Sequence, residues 1–282
     1  MALDSAHWRR LAWLGATRGP RLWLRASPPP IGLIVAALST TQRARVRYNL
    51  QSLLGQRNTI LEHIDVARTF VHFAQSLAES LSLHGHKHEI RLRVTGEEHL
   101  RGAVGRRQGV ILGTVHSAGW EAALMSLEKD LDVAVVVAMR SERDPDARGF
   151  HPVSDASPKR KVLVVGDDPL ASLPLLQHLR AGGIVAVQLD RCPAGMKSIE
   201  VHAGRRTWSV PAGPFALAAA SGAPIVLALA TRNGFLSYDL RITRPFDVPQ
   251  GQPLPPFVER VVREMASHVQ GAPTQWFDFA PT

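Results

Sequence analysis

The segment Val110-Ile-Leu-Gly-Thr-Val-His116-Ser-Ala-Gly-Trp-Glu121 joins an apolar run to a histidine and to a carboxylate five positions later. A neutral imidazole takes a proton from a hydroxyl. A carboxylate on its other nitrogen fixes the tautomer that leaves the basic nitrogen free. The residues before His116 have the length and β-branched content of a buried strand, whereas Glu121-Ala-Ala-Leu-Met-Ser-Leu-Glu-Lys129 is made of strong helix formers. His116 is therefore expected at a strand-to-helix corner. Glu121 falls in the first helical turn, where the dipole favours an anion, and is expected to reach back to one imidazole nitrogen.

Spacing alone does not single out this pair. Twelve histidines and 11 glutamates in 282 residues give about half of one such pair by chance, and the chain has two. The second, His84-Gly-His-Lys-His-Glu89, precedes the alternating segment Ile90-Arg-Leu-Arg-Val94 and is not delivered by a buried strand. It reads as a solvated polar turn.

A chain of this length with 45% hydrophobic residues can bury one large core, and one α/β domain is the simplest organisation. The net charge of +9 comes from 28 arginines against 5 lysines, a balance that suits anionic lipid, an acidic carrier protein or nucleic acid. Cys192 is the only cysteine, which leaves no disulfide framework and no cysteine-based metal site. The longest apolar stretch, Pro214 to Ala230, is broken by Ser221-Gly-Ala-Pro224 and falls short of the ~18 residues that a membrane span needs.

Other elements must position the histidine. Residues 1–39 form a basic amphipathic segment in which Trp8, Leu11, Trp13, Leu14, Leu22, Trp23 and Leu24 alternate with Arg9, Arg10, Arg18, Arg21 and Arg25, the composition of an interfacial membrane anchor. A basic arm packed on the domain has the same composition. No nucleic-acid reading module accompanies these arginines, so nucleic acid is not an expected partner. Residues 40–282 are expected to form a single catalytic domain. Thr41 to Leu83 reads as helical, with Thr59-Ile-Leu-Glu62 as a capping box and an apolar stripe of Ile64, Ala67, Val71, Ala74, Ala78 and Leu81. Strands are expected at Val110–Val115, Val133–Met139, Val162–Val165, Ile184–Leu189 and Ile225–Ala230, separated by helical stretches. That alternation predicts an α/β fold, a mainly parallel sheet flanked by helices and preceded by an N-terminal helical region. Ligands of such sheets sit at the carboxyl ends of the strands, where His116, Arg140 and Asp190 each follow an apolar run.

These residues together resemble the lysophospholipid acyltransferase superfamily, specifically its bacterial branch of lipid A late acyltransferases and phosphatidylinositol mannoside acyltransferases. His116-Ser-Ala-Gly-Trp-Glu121 is similar to the branch's H-x-x-x-W-E. Gly183-Ile-Val-Ala-Val-Gln-Leu-Asp190, then Gly204-Arg-Arg-Thr-Trp-Ser-Val-Pro-Ala-Gly-Pro-Phe and Ser221-Gly-Ala-Pro224, follow its order, and Pro273-Thr-Gln-Trp-Phe277 resembles its proline-x-glutamine-tryptophan ending. The chain departs from the pattern at Arg191, where the branch commonly has glutamine, and at Val201-His-Ala203, which replaces an aromatic pair.

The resemblance implies a glycerolipid acyltransferase-like fold and transfer of a fatty acyl group from an acyl carrier protein or coenzyme A thioester to a hydroxyl of a lipid or glycolipid. His116 is the implied general base and Glu121 its orienting carboxylate, and neither a metal nor an organic cofactor is implied. Arg140, Asp190, Trp120 and Arg191 make up the candidate substrate-binding set. The implied location is the cytoplasmic face of the inner membrane, held peripherally at an anionic surface. Two other classes fit parts of the same sequence. In one, Ser117 is the nucleophile of a serine esterase, although Val115 stands where that elbow needs a small residue. The other is a non-catalytic membrane-binding relative that keeps the pocket.

Overall fold

The computed structural model describes residues 6–83, 89–121, 124, 133–139, 160–165, 169–193, 195–249 and 253–279. Five helices open the chain: α1 (Ala6–Arg18), α2 (Arg21–Ala26), α3 (Pro28–Leu38), α4 (Thr40–Leu54) and α5 (Thr59–Ser82). Proline at the first turn of α3 suits a position whose N–H has no intrahelical partner. Gly32 lets α3 lie directly on α5, since a Cβ there would fall 2.7 Å from the Phe70 carbonyl oxygen. Ala36, Val46, Leu50, Val66 and Phe70 close a small core among α3, α4 and α5.

The cap of α5 sits one residue earlier than the sequence suggests. Asn58 Oδ1 accepts from Ile60 N at 2.9 Å and Glu62 Oε1 accepts from Arg57 N at 3.2 Å. The buried stripe of α5 is also displaced from the expected one. Asp65, Val66, Thr69, Phe70, Ser76, Glu79, Ser80 and Leu81 are buried while Ile64 is exposed. A helix that buries this many polar groups must face partners that bond them.

After α5 come β1 (Arg91–Thr95), α6 (Glu97–Gly105), β2 (Val110–Thr114), β3 (Val135–Met139), β4 (Arg160–Val164), α7 (Leu173–Arg180), β5 (Ile184–Gln188), the hairpin β6 (Ser198–Ala203) and β7 (Arg206–Pro211), α8 (Ala212–Ser221), β8 (Ile225–Gly234), β9 (Ser237–Ile242) and α9 (Leu254–Gly271). Seven strands form one sheet in the order β1-β9-β8-β2-β5-β3-β4. Every neighbouring pair is parallel except β8 and β9. The expected architecture is thus the observed one. It is built from apolar runs that can be buried on both faces, as β2 is along its whole length.

One face of the sheet packs Ile111, Val185, Ile225 and Leu227 against Trp208, Phe215, Phe257 and Met265. The other carries Leu112, Val137, Ala186 and Ala228. Among the described residues, no helix is long and apolar enough to cross a membrane.

Candidate active site

The register of β2 and β5 brings the chemistry together. Thr114 is paired with Gln188, and Leu189 N donates to Thr114 O at 2.9 Å, so two residues past the strand ends His116 stands opposite Asp190. Asp190 Oδ1 accepts from His116 Nδ1 at 2.7 Å and from the His116 backbone N at 3.1 Å. Asp190 Oδ2 accepts from Trp276 Nε1 at 2.7 Å. The Asp190 side chain is fully buried, whereas the His116 side chain keeps 22% of its surface. Burial by itself pushes the Asp190 carboxyl up. The His116 ring, the Arg191 guanidinium and the Trp276 N–H outweigh it and hold the group at about 2. An ionised Asp190 fixes the proton of the neutral ring on Nδ1, which makes Nε2 the basic nitrogen. No described residue bonds Nε2.

The loop that carries His116 is clamped by the C-terminal segment. Phe277 N donates to His116 O at 2.7 Å, Ala118 N donates to Gln275 O at 3.1 Å, and Ser117 forms an isolated antiparallel bridge with Trp276. The Gln275 amide extends the clamp to β8, accepting from Arg232 N at 2.8 Å and donating to Arg232 O at 2.9 Å. The Ser117 hydroxyl is buried and donates to Ala230 O at 3.0 Å. It is spent on a backbone carbonyl rather than presented to His116.

Glu121 takes a different place from the one expected of it, since Asp190 occupies Nδ1 of His116. The turn before it explains this. Gly119 has φ +87°, and a Cβ there would collide with the Tyr238 ring. The chain passes against Tyr238 and carries the Glu121 carboxyl in among the Ser80 hydroxyl, the Trp120 indole and Tyr238. Burial raises Glu121 to about 7, opposed by its own backbone N–H, Ser80 and Trp120.

Behind it lies a buried polar network that accounts for the polar stripe on α5. Glu79 Oε1 accepts from Arg232 Nε at 3.0 Å and Nη2 at 2.7 Å, and Glu79 Oε2 accepts from the Tyr238 hydroxyl. Gln75 Oε1 takes Arg232 Nη1 at 3.2 Å. Burial, followed by the Glu79 charge, pushes the Tyr238 hydroxyl well above the usual phenol range.

Trp120 is half-buried and borders an open apolar groove on one face of the sheet, together with Leu112, Thr114, Val137, Met139 and Gln188. Arg191 points to the C-terminal segment, where its Nη1 lies 3.6 Å from Asp278 Oδ1. Asn49 Nδ2 donates to Asp278 O at 2.9 Å and to Oδ2 at 3.2 Å. Arg140 lies outside the described residues, as do His84 of the second histidine-glutamate pair and most of the helix expected after Glu121. No group of three or more histidine, cysteine or acidic residues suited to a metal occurs among the described residues.

Trp276, Gln275 and the Glu79 network have no role assigned from the sequence. The only sequence signal for the first two was their place in the proline-x-glutamine-tryptophan ending.

A histidine with one nitrogen held by a buried aspartate, at the carboxyl rim of a parallel sheet and next to an apolar groove, can take up a proton beside an aliphatic group. The family described as bacterial lipid A biosynthesis acyltransferase matches residues 8–281, nearly the whole chain. The protein belongs to that family and is an acyltransferase of the lipid-modifying type. No curated relative matches the chain.

Proposed function

We propose that the protein moves a fatty acyl group from an acyl carrier protein or coenzyme A thioester to a hydroxyl of a lipid or glycolipid acceptor, with His116 as general base and Asp190 as the carboxylate that orients it. Nε2 accepts the hydroxyl proton as the oxygen forms its bond to the thioester carbonyl. The tetrahedral intermediate then breaks its C–S bond, and the imidazolium returns the proton to the departing thiolate. The observation that carries this reading is the 2.7 Å bond from Nδ1 to a buried, ionised Asp190. The groove beside Trp120 offers the acyl chain an apolar wall. Glu121 serves by shaping the turn between His116 and that groove rather than by touching His116.

Ser117 as nucleophile is disfavoured by its bond to Ala230 O. The membrane contact assigned to residues 1–39 is supported by a face of α2 and α3 that exposes Leu22, Trp23, Ile31, Leu33, Ile34 and Leu38 beside Arg21 and Arg25. We place that contact on the cytoplasmic leaflet, where both thioester donors occur.

The experiment is acyl transfer by purified protein, followed by mass spectrometry of the acceptor. His116→Ala should lower the rate by about 10²- to 10⁴-fold, while Ser117→Ala should stay active. Full activity in the first variant, or loss only in the second, would overturn the reading.

A further inference from the structure

The C-terminal segment that clamps His116 also borders a cluster of cations outside the hydrogen-bonded chain of His116, Asp190 and Trp276. Arg206, at the start of β7, lies over a pair of indoles that pack on each other with their centres 5.3 Å apart, its Cζ 4.6 Å from the centre of the Trp208 ring and 4.9 Å from that of Trp276. Such stacking holds a guanidinium in place without neutralising its charge. Arg206 Nε and Nη1 are buried and have no hydrogen-bond partner. Burial presses the Arg206 pKa down, and the nearby Asp278 only partly restores it.

Arg45 on α4 is a second cation close enough to press on Arg206, and its buried Nε also lacks a partner. Its guanidinium lies over Tyr48, 5.7 Å from the ring centre. Arg191 approaches the same corner through Asp278. Arg206 and Arg191 thus share one carboxylate, Asp278, with Arg45 a third cation beside Arg206. The other nearby carboxylate, Asp190, is already bonded to His116 and Trp276. A half-buried guanidinium with unpaired N–H groups is costly unless an anion completes it.

We propose that Arg206 and Arg45, with Arg191 at the edge, form a binding site for a phosphate ester, placed one indole ring away from the aspartate that orients His116. Its phosphate belongs to one of the two substrates, either the acceptor's head group or the phosphodiester of the thioester carrier. This assignment to a substrate rests on the acyl-transfer reading, whereas the binding of phosphate does not. Planar guanidinium forks match the oxygens of phosphate, and a site flanked by Trp276 would couple its occupancy to the position of Asp190.

The test begins with binding of inorganic pyrophosphate to the full-length protein at constant ionic strength, followed by calorimetry and by the emission of the tryptophans that hold Arg206. Arg206→Met should weaken binding at least tenfold, and Arg45→Met several-fold. The exposed Arg101→Ala on α6 serves as the control for general surface charge and should leave binding unchanged. His116→Ala should bind like the wild type while losing activity, so failure of the phosphate site and failure of the catalytic reading give different results. If Arg206→Met does not fold, Arg45→Met carries the test, because its position on α4 tolerates a straight apolar chain.

In steady-state kinetics, Arg206→Met should raise KM at least tenfold for whichever substrate supplies the phosphate. A rise for the acceptor that vanishes with its dephosphorylated form assigns the site to the head group, and a rise for the thioester assigns it to the carrier. Wild-type binding in both arginine variants, or losses matched by Arg101→Ala, would overturn the proposal.

Discussion

Asp190→Asn is the substitution that bears most directly on how His116 works. It preserves shape and removes charge, and its cost follows from three contacts. The carboxylate accepts from His116 Nδ1, His116 N and Trp276 Nε1, and a carboxamide has a single accepting oxygen, so at least one donor faces an NH2 group. A buried orphan of that kind costs about 1–3 kcal/mol. The folded carboxyl sits at about 2 against an ordinary 3.8, a separation worth about 2 kcal/mol. Because the folded value is the lower one, this stability is present above pH 3.8 and is lost as the pH falls through 2. The variant should therefore lose about 3–5 kcal/mol at pH 7 and progressively less toward pH 2, measured by denaturant unfolding across that range. Turnover under conditions where the variant is fully folded should drop by about 10²- to 10⁴-fold, because the ring is no longer held with its proton on Nδ1. A folded variant that turns over within threefold of the wild type would refute Asp190 as the orienting group.

Glu121→Gln should behave in the opposite sense for stability. The carboxyl is raised from 4.5 to about 7, so wild-type stability falls as the pH rises from 4.5 through 7, and the neutral amide should gain up to about 3 kcal/mol at pH 8 and little at pH 4.5. Unfolding at the two pH values checks this, and the rate loss should be smaller than that of Asp190→Asn. Trp276→Phe keeps an aromatic ring but removes the N–H to Asp190. The acid limb of the stability profile should move to higher pH, with about 1.5–3 kcal/mol lost at neutrality. Replacing Leu22, Trp23, Ile34 and Leu38 together by serine should release the protein from anionic vesicles in a sedimentation assay without lowering its melting temperature, because all four side chains are exposed.

Five of the seven strands were legible from the sequence as apolar runs, the central β2, β5 and β8 because they are buried along most of their length, whereas β1 and β9 alternate in exposure and were not expected. Each expected strand start lies within two residues of the observed one. The rim was legible for the same reason, since His116 and Asp190 each follow such a run. The partner of His116 was harder to read. Glu121 is close in sequence, whereas Asp190 becomes close only through the register of β2 against β5. The stripe of α5 was misread because hydrophobic periodicity assumes an apolar buried face. Its partners, Arg232 and Tyr238, lie more than 150 residues further along the chain, and nothing local marks Glu79 or Ser80 as buried.

The two carboxylates near His116 show why chain proximity misleads and environment decides. Both carboxyls are withdrawn from water, which pushes both upward. Asp190 is met by an imidazole, an arginine and an indole N–H and ends at about 2, while Glu121 is met by neutral groups and ends at about 7. A carboxylate can steady a proton on Nδ1 only if it stays ionised while the ring gains and gives up charge, and Asp190 satisfies that condition throughout the neutral range. Glu121, divided between its two protonation states near neutrality, does not. Its chemistry fits the polar interior of α5, β8 and β9, where Tyr238 fixes the turn at Gly119 and thereby the direction in which Trp120 borders the groove. On this argument the short motif from His116 to Glu121 ties two separate structures together, the hydrogen-bonded chain from His116 through Asp190 to Trp276 and the buried network through Tyr238 to Glu79.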